Sequence, residues 1–258
     1  MIRPKIAFFD VDNTLVSHTQ HDIPSSTLKA LYQLQENDIK VFLATGRHYC
    51  ELDELPMHDF PFDGYVLLTG QLCLDKDLNI LYHHPFDKED QRNIVEIFNE
   101  KKTATMLVNQ KDCYINIVNE YIKKISESYT SDTPKIQSYC GEDIYQASLF
   151  TDLKDAQRII QKLPNCKLVS WSNDGFDIIS KTGGKTIGIQ KICEHYKIDI
   201  QDTMAFGDGD NDIDMLKEVG LGICMGNGTK EAKEAADFVT RHIDEDGIEY
   251  ALQYYKFI

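Results

Sequence analysis

The feature that most constrains the fold is a recurring unit, a short apolar run that ends in a polar or glycine turn. Helical segments such as 25–36 and 186–196 separate these runs at both ends of the chain. Buried parallel strands typically have continuous apolar sequences. Strands that alternate with helices along the chain favour a sheet with helices on both faces. The predicted strands are residues 6–9, 41–44, 65–68, 203–206, 221–225 and 238–240. We therefore predict an α/β fold with a Rossmann-like doubly wound parallel sheet.

The middle of the chain has a different pattern, in which apolar and polar residues alternate along strand-like segments. Such alternation is typical of a sheet with one covered face and one open face. Helical segments at 89–100 and 153–161 lie between these strands. We therefore predict a split core, residues 1–84 and 184–258, with residues 85–183 inserted as an α+β domain.

The composition limits the partners that this chain can bind. Its formal net charge is −15, which repels nucleic acid and anionic membranes, and no apolar run is long enough to span a membrane. A small anionic substrate requires local cations in such a chain. The seven cysteines form no CxxC pair, which disfavours a zinc site or a disulfide framework and favours a reducing cytoplasm.

The first chemically informative segment is Asp10-Val-Asp12-Asn-Thr14, which directly follows the first predicted strand. Side chains two residues apart in extended backbone point to the same side, so the two carboxylates repel each other unless a cation or a shared proton intervenes. A turn or helix cap is the alternative interpretation, because Asp and Asn favour both.

The second segment, Thr45-Gly46-Arg47, follows the second strand of the predicted core. A hydroxyl and a backbone N–H at a glycine turn suit a phosphate oxygen. By itself, however, this tripeptide is more often a simple turn at a strand end.

The third segment, Gly207-Asp-Gly-Asp-Asn211-Asp-Ile-Asp214, follows the strand at 203–206. It superficially matches a calcium-binding EF-hand loop, but Ile213 and Val219 occupy the positions that require Gly and Glu. A magnesium site at a strand end fits better. Some of the acids, Asp214 in particular, can instead complement the positive end of the following helix.

Lys185, in Thr182-Gly-Gly-Lys-Thr186, is the expected counter-charge for these acids. A phosphate-binding P-loop is excluded because Ile179 stands where its first glycine is required. Ligands of open parallel sheets bind beyond the carboxyl ends of the strands, so the segments should meet there. Four carboxylates beside a phosphate need cations, and one Mg²⁺ with Lys185 supplies about three positive charges.

Together these segments resemble the haloacid dehalogenase (HAD) phosphatase superfamily, and the long insert resembles the large α/β cap of its Cof-like subfamily. The matching motifs, in order, are DxDxT at residues 10–14, the Thr of TGR at 45, Lys185, and GDGDND at 207–212. One departure is Asn13, since this subfamily often has glycine there. Asn tolerates left-handed backbone, so the loop can keep its shape.

The resemblance implies specific roles for these residues. Asp10 would be the nucleophile, and Asp12 the general acid and then the base. Asp10, the Asp12 carbonyl and Asp208 would bind Mg²⁺. The groups implied to hold or border the phosphate are Thr45, Gly46, Arg47, Lys185 and Asn211, with Asp212 behind the metal ligands.

The expected protein is thus a cytoplasmic Mg²⁺-dependent phosphatase that acts on a small phosphorylated metabolite, such as a sugar phosphate, as a monomer or homodimer. Two alternatives remain open at this stage. A phosphotransferase or mutase would use the same residues, and a non-catalytic metabolite-binding module would keep only the fold.

Overall fold

The computed structural model describes residues 3–52, 55–57, 59–129 and 134–258. The chain divides into two compact units, which we call the core unit and the insert unit. The core unit comprises residues 1–82 and 185–258, and the insert unit comprises residues 83–184.

The core unit contains an eight-stranded sheet with strand order β13-β12-β11-β1-β2-β3-β4-β5. Its strands are β1 (Ile6–Phe9), β2 (Lys40–Ala44), β3 (Gly64–Leu67), β4 (Leu72–Asp75), β5 (Ile80–His83), β11 (Thr203–Gly207), β12 (Leu221–Cys224) and β13 (Phe238–Val239). The helices are α1 (Ser25–Glu36), α2 (Tyr49–Leu52), α6 (Lys185–Tyr196), α7 (Ile213–Glu218), α8 (Lys230–Ala235) and α9 (Gly247–Tyr254).

The central strand β1 is fully buried and pairs in parallel with β2 on one side and β11 on the other. Phe9, its last residue, is in register with Leu43 and Phe206. Because the three strands are parallel and aligned, the residues that follow them leave the sheet at the same end, where the strands have their carboxyl termini; we call this end the carboxyl edge. This register therefore brings the loops that begin at Asp10, Thr45 and Asp208 to the same edge.

Both faces of this sheet are covered by apolar side chains. On one face, Phe8 and Phe42 belong to a buried cluster that includes Ile189 and Ile192 of α6 and Leu216 of α7. Elsewhere in the unit, α1 packs against β2 and α9. The doubly wound α/β fold predicted from the sequence is confirmed.

The predicted sheet lacks two strands that the structure contains. β4 runs antiparallel to β3, and β5 lies beyond it at the sheet edge. Leu72, Cys73 and Leu74 form an apolar run, but it is short and ends in a polar turn at Asp75. Pairing across that turn, where Asn79 O accepts from Asp75 N (3.0 Å), is a feature that strand periodicity does not reveal.

The insert unit is a five-stranded sheet with helices, as its alternating pattern predicts. Its strands, in the order β7-β6-β8-β10-β9, are β6 (Ala104–Val108), β7 (Cys113–Ile115), β8 (Gln146–Phe150), β9 (Cys166–Ser170) and β10 (Gly175–Ser180). Its helices are α3 (Lys88–Glu100), α4 (Glu120–Tyr129) and α5 (Leu153–Ile160). Apolar residues of α3 and α5 share one buried cluster with Leu107, Leu149 and Phe176 of the sheet.

The expectation of an open second face in the insert unit is wrong for its central strands, since every residue of β8 and β10 is buried. Polar side chains there satisfy one another. Oδ1 of Asp177 accepts hydrogen bonds from Ser148 Oγ (2.7 Å) and from Trp171 Nε1 (3.1 Å). Trp171 also meets Phe150 edge-on, so its indole is part of the packing of this unit.

None of the helices in the described ranges has the length and apolar character needed to cross a lipid bilayer.

We expect Gly222→Ala in β12 to destabilise the core unit by about 1–3 kcal/mol, the usual cost of overpacking. A Cβ at this position would lie 2.0 Å from the backbone oxygen of Leu216, so α7 or β12 would have to move. Urea unfolding followed by circular dichroism measures the change. An unchanged midpoint would mean that α7 shifts without cost and that this contact does not fix the helix on the sheet.

Candidate active site

Asp10 begins the loop after β1 and is 5% exposed. Its backbone N–H donates to Phe206 O (3.0 Å), which continues the β1–β11 pairing and fixes where the side chain leaves the sheet. Its Oδ1 accepts from Lys185 Nζ at 2.5 Å. Burial, and then the neighbouring charges of Asp212 and Asp208, raise the pKa of Asp10 well above its usual range, against the lowering effect of Lys185.

Lys185, the first residue of α6, joins two acids that are distant along the chain. Its Nζ donates to Asp10 Oδ1 (2.5 Å) and to Asp212 Oδ1 (2.6 Å), and all three side chains are buried. Burial by itself would lower the pKa of Lys185, but the charges of Asp10 and Asp212 raise it. The ammonium therefore stays protonated and acts as a fixed counter-charge.

Asp212 is held on both of its oxygens. Oδ1 accepts from Lys185, and Oδ2 accepts from the backbone N–H groups of Asp208 and Gly209, each at 3.0 Å. A Cβ at Gly207 would lie 2.6 Å from the Asp212 side chain, so glycine is needed there for this close approach. Asp212 thus shapes the turn that presents Asp208.

Asp208 is half-buried and accepts a hydrogen bond on Oδ1 from Thr14 Oγ1 (3.2 Å). Desolvation, and then the charge of Asp212, raise the pKa of Asp208 to about 7. One oxygen from each of Asp10, Asp208 and Asp212 lies within 4.8 Å of the others. The structure therefore gathers more buried negative charge than Lys185 neutralises.

Asp12 lies in the same loop but has different partners. Its carboxylate receives two hydrogen bonds from Arg47, Nε to Oδ2 (2.8 Å) and Nη2 to Oδ1 (2.7 Å), while His18 Nε2 lies 2.9 Å from Oδ1. Burial would raise the pKa of Asp12, but the hydrogen bonds from Arg47 and His18 lower it far below its ordinary value. Asp12 is therefore ionised in this conformation.

The Thr45-Gly46-Arg47 segment begins at the end of β2. Thr45 is buried, and its Oγ1 accepts from the backbone N–H of Arg47 (3.1 Å). Thr69 N donates to Thr45 O (3.0 Å), which ties the segment to the turn after β3. The Arg47 guanidinium is engaged by Asp12, so its expected role at the phosphate stays a prediction.

Two residues of the acidic segment for which roles were expected lie outside this buried cluster. Asn211 and Asp214 are exposed, the former in a 3₁₀ turn at 210–212 and the latter in the first turn of α7. Asp214 fits the helix-start interpretation. The expected role of Asn211 beside the phosphate stays a prediction.

Three features of the site are not predicted from the sequence, namely His18, Asn227 and the contact of Thr14 with Asp208. Asn227 Nδ2 donates to Asn13 O at 2.8 Å, although the two residues are 214 positions apart. Neither His18 nor Asn227 belongs to a motif with recognised spacing. The only sequence signal was that Gly226-Asn-Gly228 follows a core strand, as the other site loops do.

The donor set fits a divalent cation that prefers oxygen ligands. Among the described residues, Oδ2 of Asp10 accepts no hydrogen bond, and Asp208 has an oxygen that Thr14 does not engage. Both oxygens of Asp212 are already used by Lys185 and backbone amides. Asp10 and Asp208 are therefore the carboxylates best placed to bind Mg²⁺.

A buried aspartate, a lysine counter-charge and an acid cluster at the carboxyl edge of a doubly wound sheet are the arrangement of a phosphate-ester hydrolase of the HAD type. The family model described as haloacid dehalogenase-like hydrolase matches residues 7–252, so the chain belongs to this family.

The similar proteins agree with this assignment. The chain is 33% identical over 256 residues to YkrA of Bacillus subtilis strain 168, which bears the name of a phosphatase, with 96% of each chain covered. It is 25% identical to the B. subtilis 5-amino-6-(5-phospho-D-ribitylamino)uracil phosphatase YitU, with 98% of each covered. The structure of the HAD subclass IIB sugar phosphatase BT4131 superposes with a TM-score of 0.87 at 31% identity, covering 98% of this chain and 100% of that one.

We expect Lys185→Met to destabilise the protein by about 3–5 kcal/mol at pH 8, because it leaves Asp10 and Asp212 buried without a counter-charge. Without the ammonium, the pKa of Asp10 rises further above its unfolded value. The loss should therefore shrink as pH falls toward 5 and Asp10 takes up a proton.

The matched control for this prediction is Lys191→Met on the same helix, where solvent screens the exposed Lys191–Glu194 pair and its loss should cost far less stability. Thermal and urea unfolding of both variants at pH 5 and pH 8 provide the comparison. Equal losses in the two variants would contradict the counter-charge role of Lys185.

Proposed function

We propose that this HAD-family phosphatase is Mg²⁺-dependent and hydrolyses a small phosphorylated metabolite through an aspartyl-phosphate on Asp10. The observation that carries the proposal is the joint placement of Asp10, Lys185 and Asp208 in one buried cluster at the carboxyl edge of the sheet. A carboxylate held by a protonated lysine is fixed in place, so little reorganisation is needed when it attacks phosphorus.

In the proposed first step, a carboxylate oxygen of Asp10 forms a bond to phosphorus, and the bond from phosphorus to the ester oxygen breaks. The departing oxygen takes a proton from the Asp12 carboxylic acid. In the second step, Asp12 removes a proton from water, whose oxygen attacks phosphorus and frees Asp10 and inorganic phosphate. When bound, Mg²⁺ would lower the repulsion between the carboxylate and the phosphoryl oxygens.

Lys185 and the Thr45 hydroxyl, with the Gly46 N–H, are the proposed partners of the phosphoryl oxygens. Lys185 already binds the nucleophile, so it can stabilise negative charge that develops beside Asp10. The local cations Lys185 and Arg47 also explain how a chain with net charge −15 can bind an anion.

The general-acid role requires Asp12 to leave its present pairing. Arg47 and His18 hold it ionised, whereas an acid that protonates a leaving group must carry a proton. We propose that the substrate dianion draws the Arg47 guanidinium toward the phosphoryl group. Asp12 would then lose its strongest partner and could accept a proton.

The proposed substrate class is a small phosphomonoester such as a sugar phosphate, in the reducing cytoplasm that seven free cysteines favour. This proposal rests on the likeness to the sugar phosphatase BT4131 over 98% of the chain. Relatives at lower identity bear the names of phosphatases for a ribitylaminouracil phosphate and for HMP-PP, so a metabolite panel must extend beyond sugars.

We expect Asp10→Asn to abolish p-nitrophenyl phosphate turnover, with a loss of at least about 10³-fold, because the amide is not a nucleophile. The change is isosteric, so circular dichroism should show a folded protein. Asp12→Asn should form the phosphoenzyme but hydrolyse it slowly, and intact-protein mass spectrometry after an acid quench should detect one added phosphoryl group. Full turnover by Asp10→Asn would refute the covalent route.

We expect Mg²⁺ to raise the melting temperature more at pH 8 than at pH 5.5. The pKa of Asp208 is raised from 3.8 to about 7, so between these two pH values the folded metal-free protein binds a proton at Asp208 that the unfolded chain has lost. The stability that this proton contributes to the fold is present at low pH and is lost as the pH rises through 7. Mg²⁺ must displace that proton, which costs less at higher pH.

Thermal scans with EDTA and with Mg²⁺ across this pH range test the expectation. Asp208→Asn should remove most of the Mg²⁺-dependent shift, whereas the exposed Asp214→Asn should retain it. A shift that does not vary with pH, or that survives in Asp208→Asn, would place the ion elsewhere.

A further inference from the structure

The loop that carries Asp10 and Asp12 contains a backbone conformation that needs support. Asn13 has φ 57°, in the left-handed region, where non-glycine residues pay a steric cost. The residue lies directly after Asp12, so a change in its backbone angles would turn the Asp12–Asn13 peptide and redirect the Asp12 side chain. The structure must therefore hold Asn13 in this minor conformation.

Contacts within the loop hold only part of it. Asn13 N donates to Val16 O (2.9 Å), and Leu15 N and Val16 N donate to Val11 O (3.0 and 2.8 Å). Thr14 Oγ1 reaches Asp208. These bonds close the turn, but none of them engages the carbonyl of Asn13.

That carbonyl is engaged by Asn227, which lies in the loop after β12. Asn227 Nδ2 donates to Asn13 O at 2.8 Å, and Asn227 Oδ1 accepts from Ile243 N at 3.0 Å. The side chain thus has both ends occupied and cannot rotate freely. Its own backbone is fixed as well, since Gly226 N donates to Arg241 O and Gly228 N donates to Met225 O (2.8 and 2.9 Å).

We propose that Asn227 is a positioning residue for catalysis, which holds the Asn13 carbonyl and thereby fixes the backbone that aims Asp12. The inference deepens the proposed phosphatase function and rests on it. The asparagine at position 13 makes this hydrogen bond important. Glycine adopts positive φ at no steric cost, whereas asparagine has a steric cost there, and the hydrogen bond from Asn227 stabilises the same backbone conformation.

The alternative is that Asn227 only stabilises the fold. A variant of Asn119 in the insert unit distinguishes these two roles. Asn119 has the same pair of contacts, with Nδ2 donating to Phe150 O (2.9 Å) and Oδ1 accepting from Ile122 N (3.0 Å). Both asparagines are half-buried. Asn119→Ala is therefore a matched loss of one donor and one acceptor away from the nucleophile loop.

We expect Asn227→Ala to lower kcat for p-nitrophenyl phosphate about three- to tenfold, the range that follows from losing one hydrogen bond, with a smaller change in KM. Inhibition by vanadate, a mimic of the phosphoryl-transfer transition state, should weaken by a similar factor. Asn119→Ala should lower the melting temperature by a similar amount but leave kcat and vanadate inhibition unchanged.

A double variant tests the link to Asn13. Asn13→Gly removes the steric cost of positive φ, so Asn227→Ala should reduce kcat by a smaller factor in that background than in the wild type. If Asn227→Ala does not fold, Asn227→Asp, which keeps the acceptor for Ile243 N, takes its place in every comparison. If Asn227→Ala lowers kcat by the same factor in the Asn13→Gly background as in the wild type, the proposed link between Asn227 and Asn13 is contradicted.

Hydrogen exchange provides a readout that does not depend on turnover. A peptide spanning residues 10–17 should exchange faster in Asn227→Ala than in the wild type, and Asn119→Ala should leave it unchanged. Unaltered exchange, or a kcat equal to that of the wild type, overturns the positioning role. If the wild type itself has no phosphatase activity, the proposed function fails separately, and the exchange experiment still decides whether Asn227 orders the loop.

Discussion

The ion pairs of Lys185 with Asp10 and Asp212 are the interaction on which the site depends. Like charges buried within a few ångströms of one another repel strongly, and the cluster can form only because an ammonium lies between two of its members. Lys185 is placed there by the start of α6, the helix that follows the insert unit. The site is thus completed by residues from both segments of the split core.

The parallel sheet makes this meeting possible. β1, β2 and β11 are adjacent and in register, so the loops at their carboxyl ends share one edge although they are far apart in sequence. Asp212 then acts at short range, since its backbone hydrogen bonds fold the 208–212 turn around it. Long-range pairing decides which loops meet, and local hydrogen bonds decide how each loop presents its side chains.

The site aspartates have opposite electrostatic surroundings. Burial and neighbouring acids raise the pKa values of Asp10 and Asp208, whereas hydrogen bonds from Arg47 and His18 outweigh burial and lower the pKa of Asp12. This order is the reverse of what the proposed roles need, since an attacking carboxylate must be ionised and a general acid must carry a proton. The proposed roles therefore require a change of partners at Asp12, whose partner Arg47 is a cation suited to phosphate.

The sequence by itself determined the class of fold and most of the site. Apolar runs with terminal turns predicted strands at 6–9 and 203–206 within a residue of their observed bounds, and the ordered motifs selected Asp10, Asp208 and Lys185. It did not reveal β4 and β5, whose short runs carry little periodic signal. Only the tertiary structure decided that Arg47 binds Asp12, that Asn211 is exposed, and that Asn227 reaches Asn13. The two contacts join residues 35 and 214 positions apart. Whether such residues meet depends on distances of a few ångströms in the folded protein, which residue spacing along the chain does not encode.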